Sequence, residues 1–280
     1  MVSCIFVKTH IMSKPYHVIE PKGKKVPFIL SIPHCGTDFP KELANDYVPE
    51  MMASPDDTDW FVHELYNFAS EMGITIIYAK YSRWVIDLNR NPESEPLYND
   101  GRIITGLTTT TNFFGKDIYI SESKIPNKNE VERRLEKYYW PYYSQVQSLL
   151  DERKIEFGKA LLWDAHSIRH FVPTIHKEIF PDMILGNNDE TTANKRIIHS
   201  ALEGLNSDKY GLNHNTPFKG GHITRYFGKP KNDIHALQLE MNKILYMNDA
   251  ETEFNEDRAN AVRSVLKRTF NDLIKTLESL

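Results

Sequence analysis

The chain has 280 residues, of which 40% are hydrophobic and 26% are charged, as in an ordinary globular protein. Its formal net charge of −4 gives no basic field, so we expect no nucleic-acid partner. No apolar run approaches the roughly 20 residues of a spanning helix, the start of the chain does not resemble a signal peptide, and two cysteines make no disulfide framework. These features predict a cytoplasmic protein with no membrane partner.

Apolar runs and helical spacing alternate along the chain, which predicts an α/β fold. Strands are predicted at residues 26–33, 74–79, 81–90, 160–163, 180–186 and 234–241, and a short strand that bears Arg225 is predicted within residues 219–228, after a flexible Gly-Gly. Helices are predicted at residues 60–72, 130–150 (kinked or split at Pro141), 191–205 and 256–280, with a long loop and a short hairpin within residues 91–126. No repeat or linker composition divides the chain, so we interpret residues 24–280 as a single α/β domain and residues 1–23 as an N-terminal extension.

The first predicted strand, residues 26–33, delivers a histidine at its carboxyl end, because His34 follows the apolar run directly. Three acids, Asp56, Asp57 and Asp59, then precede a helical pattern. A helix N-cap would explain one of them. Three acids within four residues exceed what a cap requires, so we expect another role for the remainder.

The strand that begins at Ala160 ends in an acid, an imidazole, a hydroxyl and a guanidinium. Open α/β sheets bind ligands beyond the carboxyl ends of their strands. His166, with Asp164 available to orient one ring nitrogen, therefore suits a metal ligand. A hydrogen-bonded core histidine is the alternative interpretation, and the other strand ends have to decide between the two.

Two further predicted strands also end in polar residues, at Asn89-Arg90 and at Glu240. A zinc hydrolase site needs three protein ligands and an open position, and a separate carboxylate can move the proton. The two histidines with Asp57 or Asp59 would supply the ligands. Glu240 would carry the proton, because its apolar neighbours raise its pKa. Helix N-caps and a salt-bridged strand end are the alternatives for these acids.

Four arginines lie beside the segments that carry these candidates: Arg83, Arg90, Arg169 and Arg225. Guanidinium groups bind carboxylates with two parallel hydrogen bonds, so several that converge on one pocket predict a multiply anionic substrate. Pairing with Asp87 and Asp164 inside the protein is the alternative for at least one of them. Among the remaining histidines, His222 is the best candidate for a contact with substrate.

Six segments, in this order, resemble the N-formylglutamate amidohydrolase family: SIPHCG, DDTDWFV, SRWVIDLNR, LLWDAHSIR, FKGGHITRYFG and HALQLEMN. The similarity covers about residues 24–250. More distantly, the plan is similar to that of the zinc carboxypeptidases and aspartoacylase. The resemblance implies a three-layer α/β sandwich with a mixed, mostly parallel central sheet.

Carried over from this family, His34 and His166 fall on the zinc positions and Glu240 falls on the catalytic acid/base. The Asn89-Arg90 pair falls on the clamp for a substrate carboxylate. The implied reaction is hydrolysis of the formamide bond of N-formyl-L-glutamate to formate and L-glutamate, a step of histidine degradation, with one zinc ion per chain.

The resemblance leaves the third zinc ligand open. The carboxypeptidases carry an acid three residues after the first histidine, where this chain has Thr37. Asp59, at the start of its predicted helix, is favoured over Asp57, and Asp38 is the third candidate.

The implied partner is a small anionic N-acyl amino acid, with no nucleic acid and no membrane. Six residues would hold it: Arg83, Asn89, Arg90, Arg169, His222 and Arg225. One alternative is another zinc-dependent amidohydrolase or peptidase of the same fold. The other is a non-catalytic protein that binds an acidic amino acid.

Overall fold

The computed structural model describes residues 14–93 and 106–280. Within these residues the strands are β1 (Tyr16–Ile19), β2 (Phe28–Ile32), β3 (Thr75–Ala79), β4 (Ala160–Ile168), β5 (Met183–Gly186), β6 (Leu212–His214) and β7 (Ile234–Asn242). The α-helices are α1 (Pro49–Ala53), α2 (Val62–Leu65), α3 (Lys128–Arg134), α4 (Trp140–Phe157), α5 (Lys195–Leu205), α6 (His222–Phe227) and α7 (Glu256–Glu278). None of these described helices is long and apolar enough to cross a membrane.

The strands form one sheet in the order β1-β3-β2-β4-β7-β5-β6. The central strands β3, β2, β4 and β7 are parallel, whereas β1 runs antiparallel to β3 and β5 runs antiparallel to β7. The predicted α/β class with a mixed, mostly parallel sheet is therefore confirmed. Because β2, β4 and β7 are parallel neighbours, their carboxyl ends lie together at one edge of the sheet.

Helices cover both faces of the sheet, because successive side chains of the central strands are apolar and point to opposite faces. In β4, Trp163 belongs to a core that includes α5 and α7, while Leu162 belongs to a second core that includes α4 and α6. Both side chains are completely buried, and burial of a side chain of this size contributes about 1.5–3 kcal/mol or more. The result is a three-layer sandwich.

The helical pattern over residues 130–150 is split, as Pro141 predicted. Between α3 and α4, residues Leu135–Tyr139 form a wider π-turn, and Pro141 lies in the first turn of α4. Proline has no backbone N–H to donate, so it is tolerated where the hydrogen-bond pattern of the helix changes.

The interpretation of residues 81–90 as a strand is wrong. This segment forms successive turns, in which the Asp87 carboxylate accepts a hydrogen bond from the backbone N–H of Asn89 at 2.9 Å. Every side chain from Ser82 to Asn89 is buried. The alternation of side chains in this segment therefore does not indicate an extended backbone, because side chains in all directions are buried.

The interpretation of residues 219–228 as a strand is also wrong, because this segment carries α6. The backbone N–H of Ile223, in the first turn of α6, donates to the side-chain oxygen of Asn89 at 2.8 Å. These two residues are 134 positions apart, so the local sequence does not show where this helix begins.

The sheet also includes residues that the sequence analysis assigned to an N-terminal extension. Strand β1 lies within residues 1–23, which the sequence assigned to an extension, and it pairs antiparallel with β3, with Tyr16 opposite Ala79. The sheet therefore begins before residue 24. Residues 1–13 lie outside the described residues.

The long loop predicted over residues 91–126 contains the expected short hairpin. Thr111 and Asp117 form an antiparallel bridge, and the Asn112 N–H donates to the Lys116 carbonyl at 2.9 Å. Residues 94–105 of this loop lie outside the described part of the chain.

Gly204 allows α5 to pack directly against α7, since a Cβ at this position would lie 2.7 Å from the Cα of Thr269. Gly204→Ala should therefore destabilise the protein by about 1–3 kcal/mol, because overpacking against backbone outweighs the roughly 1 kcal/mol gain in helix propensity. Denaturant unfolding measures this change. Gly106→Ala is the control, because a Cβ there meets no described atom within 4 Å. An equal loss in both variants would contradict the packing argument.

Candidate metal centre and active site

Three buried side chains meet at the carboxyl edge of the sheet. His34 follows β2, His166 lies near the end of β4, and Asp59 lies in the loop before α2. One nitrogen of each imidazole and one carboxylate oxygen all lie within 4.8 Å of one another. Each residue is only 2–3% exposed. Two histidines that are far apart in the sequence are thus brought together, as the strand ends predicted.

Hydrogen bonds on two sides set the position of His34. Its Nε2 lies 2.7 Å from Oδ1 of Asp87, and its Nδ1 faces Oδ2 of Asp59 at 3.9 Å. Its backbone carbonyl accepts a hydrogen bond from the Asp59 N–H at 3.0 Å, which holds the loop beside the end of β2. Gly36 is required two residues later, because a Cβ there would overlap the carbonyl of Tyr81.

His166 has the same arrangement. Its Nδ1 lies 3.2 Å from Oδ2 of Asp59, and its Nε2 lies 3.1 Å from Oδ2 of Asp164. Asp164 stands two positions earlier on the same strand and therefore points to the same face of the sheet. It also accepts hydrogen bonds from the hydroxyls of Ser31 and Thr224, each at 3.3 Å. Asp164 therefore contacts a ring nitrogen of His166, as the sequence predicted, and its role in orienting a metal ligand stays a prediction.

Each imidazole thus turns one nitrogen toward Asp59 and the other toward a second buried carboxylate. Two ligand atoms that are each about 2.1 Å from a tetrahedral zinc ion lie about 3.4 Å apart. The separations of 3.2 and 3.9 Å between the Asp59 oxygen and the two imidazole nitrogens lie on either side of this value. A carboxylate behind each ligating imidazole is the usual outer arrangement at zinc sites. The residues present therefore fit a zinc ion.

The charges at this centre favour a cation. Burial lowers the pKa of His34 to about 4, and Arg83 adds to this effect. Burial also lowers the pKa of His166, but Asp164 and Asp59 outweigh it and hold that pKa well above its usual value. Burial raises the pKa of Asp59, yet the hydrogen bond with His166 and the neighbouring cations bring it below its ordinary value. Asp59 and Asp164 thus stabilise a positive charge between them, and a metal ion would take the place of the proton on His166, because a ligating imidazole is neutral.

The three acids before α2 have different partners, and only Asp59 faces the histidines. The Asp57 carboxylate accepts hydrogen bonds from the indole of Trp84 and from the backbone N–H of Phe113, each at 2.9 Å. Neither Asp57 nor Asp59 caps α2, because the N-cap of this helix is Phe61, which has a left-handed conformation. The N-cap interpretation is therefore wrong, and Asp57 anchors the hairpin loop instead of facing the centre.

Glu240 stands opposite His166 in the pairing of β4 with β7. Among the described residues its carboxylate makes no hydrogen bond or ion pair. Burial raises the pKa of this carboxyl to about 8, as the sequence predicted; Asp59 and Asp164 add to the rise, while His166 and Arg83 oppose it. A carboxyl group with a pKa near neutrality can both take up and release a proton.

Arg83 acts on the acid behind His34. Its Nη2 donates to Oδ2 of Asp87 at 2.5 Å, and its guanidinium lies over the ring of Phe113, 5.0 Å from the centroid. Burial raises the pKa of Asp87, but Arg83 and the other cations hold it well below its usual range. Asp87 therefore stays ionised where it contacts His34.

The side chain of Asn89 joins His166 to α6. Its Nδ2 lies 3.2 Å from Nε2 of His166, and its Oδ1 accepts the N–H of Ile223 at 2.8 Å. Gly221 packs so closely against this amide that a Cβ would overlap it. Asn89 therefore places α6, which carries two of the other predicted substrate contacts, beside the centre.

Three predicted substrate contacts surround this arrangement. Nη1 of Arg90 lies 3.9 Å from Oδ2 of Asp87, and the Arg90 side chain is 20% exposed. Nε of Arg225 donates to the carbonyl of Gly220 at 3.0 Å. Nε2 of His222 is buried without a hydrogen-bond partner in the described residues, and burial, with Arg225 adding, lowers its pKa to about 4. Their contact with substrate stays a prediction.

Arg169 is held by two acids. Its guanidinium donates to Oδ1 of Asp56 at 2.9 Å and to Oε2 of Glu251 at 2.8 Å. The alternative of pairing with Asp87 therefore applies to Arg83 and, at 3.9 Å, to Arg90, whereas Arg169 pairs with acids that the sequence did not indicate. The substrate contact predicted for Arg169 stays a prediction.

Sequence reasoning misses two residues of this region. Asp87 pairs with Arg83, as the sequence allowed, but its contact with His34 joins distant segments and leaves no local pattern. Lys243 is only 3% exposed although it is charged. The signal in the sequence that could have indicated Lys243 was its position just after the strand predicted at residues 234–241. Asp38, the last acid left open as a ligand, is exposed and lies outside the triad.

Comparisons with known proteins identify the family of this chain. A family model described as N-formylglutamate amidohydrolase matches residues 26–247. The N-formylglutamate deformylases of Pseudomonas putida and Pseudomonas aeruginosa are 37% and 38% identical, over 89% and 92% of this chain and 93% and 96% of their own lengths. A solved structure, the N-formylglutamate amidohydrolase from Ralstonia eutropha JMP134, has a TM-score of 0.78 at 24% identity and covers 95% of this chain and 99% of its own. The chain belongs to the N-formylglutamate amidohydrolase family.

Proposed function

We propose that this protein hydrolyses the formamide bond of N-formyl-L-glutamate to formate and L-glutamate, a step of histidine degradation. The observation that carries the proposal is the buried triad of His34, Asp59 and His166, with Glu240 at the same strand edge. Membership of the family, and the activity named for the two Pseudomonas relatives, support this choice of substrate.

The triad would hold one zinc ion through Nδ1 of each imidazole and one oxygen of Asp59. Bound there, zinc would polarise the formyl oxygen and lower the pKa of a water molecule. Asp87 and Asp164, behind the two histidines, keep the Nδ1 atoms turned toward Asp59. These carboxylates therefore fix the imidazole orientations that binding requires.

Glu240 would carry the proton. Its carboxylate takes a proton from the attacking water and delivers it to the amide nitrogen as the C–N bond breaks, so that glutamate leaves as an amine. The raised pKa of Glu240, about 8, supports this role, because such a carboxyl can hold a proton near neutral pH. A cation at the triad would lower this pKa and favour the ionised form that acts first as a base.

Positive side chains would hold the two carboxylates of the substrate. We assign this role first to Arg90 and Arg225, with His222 beside them, because these residues are partly exposed next to the centre. A guanidinium can hold a carboxylate with two parallel hydrogen bonds, which would fix the orientation of the formamide. Arg83 ranks below them because it is buried, at 7% exposed.

The proposed reaction is tested by measuring formate. Purified protein should release formate from N-formyl-L-glutamate, a chelator should abolish the release, and added zinc should restore it. The kcat/KM for N-formylglutamine should be about 10–100-fold lower, because this analogue loses one charge-assisted interaction worth about 1.5–3 kcal/mol.

N-acetylglutamate is the comparison for the acyl group. Faster turnover of N-acetylglutamate would favour another amidohydrolase activity. Tight binding of N-formylglutamate without any formate release would favour a binding protein. Either result would contradict the proposed function.

Exchanging each acid for its amide tests the third ligand. Asp59→Asn should leave less than one zinc ion per chain, because it replaces an anionic ligand with a neutral amide. Asp57→Asn should retain zinc but lose about 1–3 kcal/mol of stability, since the single amide oxygen replaces two accepting oxygens. Elemental analysis and thermal unfolding report the two effects. The reverse result, with zinc lost only from Asp57→Asn, would move the ligand to Asp57.

Glu240→Gln tests the proton carrier. The variant should bind zinc normally while its kcat falls about 10²–10⁴-fold, because an amide cannot transfer the proton. Zinc content and formate release are measured on the same preparation, with Glu203→Gln on the exposed side of α5 as the control. Loss of zinc from Glu240→Gln would instead make Glu240 a ligand.

A further inference from the structure

A second group of charges lies just outside the proposed metal centre. It consists of Asp56, Arg169, Lys243 and Glu251, which together we name the ionic clasp. Nε and Nη2 of Arg169 both contact Oδ1 of Asp56, the former at 2.9 Å, and Nη1 donates to Oε2 of Glu251 at 2.8 Å. The ammonium of Lys243 lies 3.5 Å from the backbone oxygen of Asp56. The clasp thus contains two cations and two carboxylates.

Three members of the clasp each stand three residues from a residue of the centre. The three spacings are Asp56 to Asp59, His166 to Arg169, and Glu240 to Lys243. The clasp therefore joins the loop before α2 to the carboxyl ends of β4 and β7. These are the segments that carry two of the proposed ligands and the proposed proton carrier.

Burial and strain show that the surrounding contacts determine this arrangement. Lys243 is 3% exposed and Glu251 is 8% exposed. Glu251 also adopts a left-handed φ of 55°, a conformation that costs a non-glycine residue about 1–3 kcal/mol. Its second carboxylate oxygen accepts the N–H of His170 at 2.6 Å. Arg169 and Asp56 are partly exposed, at 27% and 21%, whereas Lys243 and Glu251 are buried charges, which are retained when neighbouring groups compensate them.

Electrostatics link the clasp to the centre. Burial lowers the pKa of Lys243, and the carboxylates of Asp59, Glu251 and Asp56 oppose this effect. Lys243 therefore lies close enough to interact electrostatically with Asp59, the proposed ligand, as well as with the acids of the clasp. Removal of a clasp charge would leave an uncompensated charge beside the loop of Asp59.

We propose that the ionic clasp positions Asp59, His166 and Glu240, so that Asp56 and Arg169 are positioning residues of the metal centre. The inference rests on the proposed zinc site and gives Arg169 an internal role in place of a contact with substrate. Ligands must be held to within about 0.5 Å for productive binding. A loosened Asp59 loop therefore weakens zinc binding even when every ligand is present.

Zinc affinity, measured without substrate by competition with a chelating indicator, tests the clasp. Arg169→Met should weaken zinc binding about 10–100-fold. Arg169→Lys should weaken it less, since an ammonium can keep one of the two acid contacts. The isosteric Asp56→Asn should also weaken it. The double variant should bind zinc no more weakly than Arg169→Met alone, because both changes remove one shared contact.

Arg258→Met is the matched control. Arg258 pairs with Asp249 at 2.6 Å and donates to the Met247 carbonyl at 2.8 Å, but it is not part of the clasp. This variant should lose thermal stability while its zinc affinity stays unchanged. An equal loss of zinc affinity in Arg258→Met would show a general effect of instability and would overturn the clasp.

Two further results separate the alternatives. If folded Arg169→Met and Asp56→Asn bind zinc like the unaltered protein, the clasp is overturned, and a raised KM for N-formylglutamate in Arg169→Met would then assign this arginine to the substrate. If the unaltered protein itself binds no zinc, the proposed metal centre fails. The failure of the clasp and the failure of the proposed function are thus distinguishable.

Discussion

The buried carboxylate of Asp59, placed between two imidazoles, is the constraint on which the rest of this site depends. An ionised group in the protein interior is retained when its charge is compensated, because uncompensated burial costs several kcal/mol. His166 supplies that compensation directly at 3.2 Å, and the neighbouring cations supply more of it. The same requirement extends outward, since Asp87 behind His34 is itself compensated by Arg83 at 2.5 Å. The centre is therefore a series of paired charges, in which each pair lowers the free-energy cost of burying the next charge.

The sheet makes this concentration of polar groups possible. Strands β2, β4 and β7 are parallel neighbours, so residues from three distant parts of the chain reach one edge. Most side chains along these strands are apolar and buried on both faces, and Asp164 is the buried acid within β4 that contacts His166. Polar side chains at the strand ends therefore collect where the backbone leaves the sheet, and loops with no regular structure, such as residues 82–90, complete the enclosure.

The sequence predicts the parts of this protein that depend on local patterns. The α/β class, the apolar strands and the two histidines at strand ends follow from periodicity and from the point where apolar runs stop. The family resemblance adds the roles of His34, His166 and Glu240. Residues 81–90 and 219–228 were misinterpreted for one physical reason. Their backbones are set by the side chains of Asp87 and Asn89, which act through hydrogen bonds with distant segments that no local pattern contains.

The arginines show the same limit and change how the site is understood. The number of arginines predicted a multiply anionic substrate. Arg83 and Arg169, however, form ion pairs with acids of the protein itself. An arginine is always charged, and Arg83 outweighs the effect of burial to hold the pKa of Asp87 well below its usual range. In the proposed function, Arg90 and Arg225 are the arginines assigned to the two carboxylates of the substrate. The charges of Arg83 and Arg169 therefore compensate acids that surround the triad of His34, Asp59 and His166, and only the outer arginines are assigned to the substrate in the proposed function.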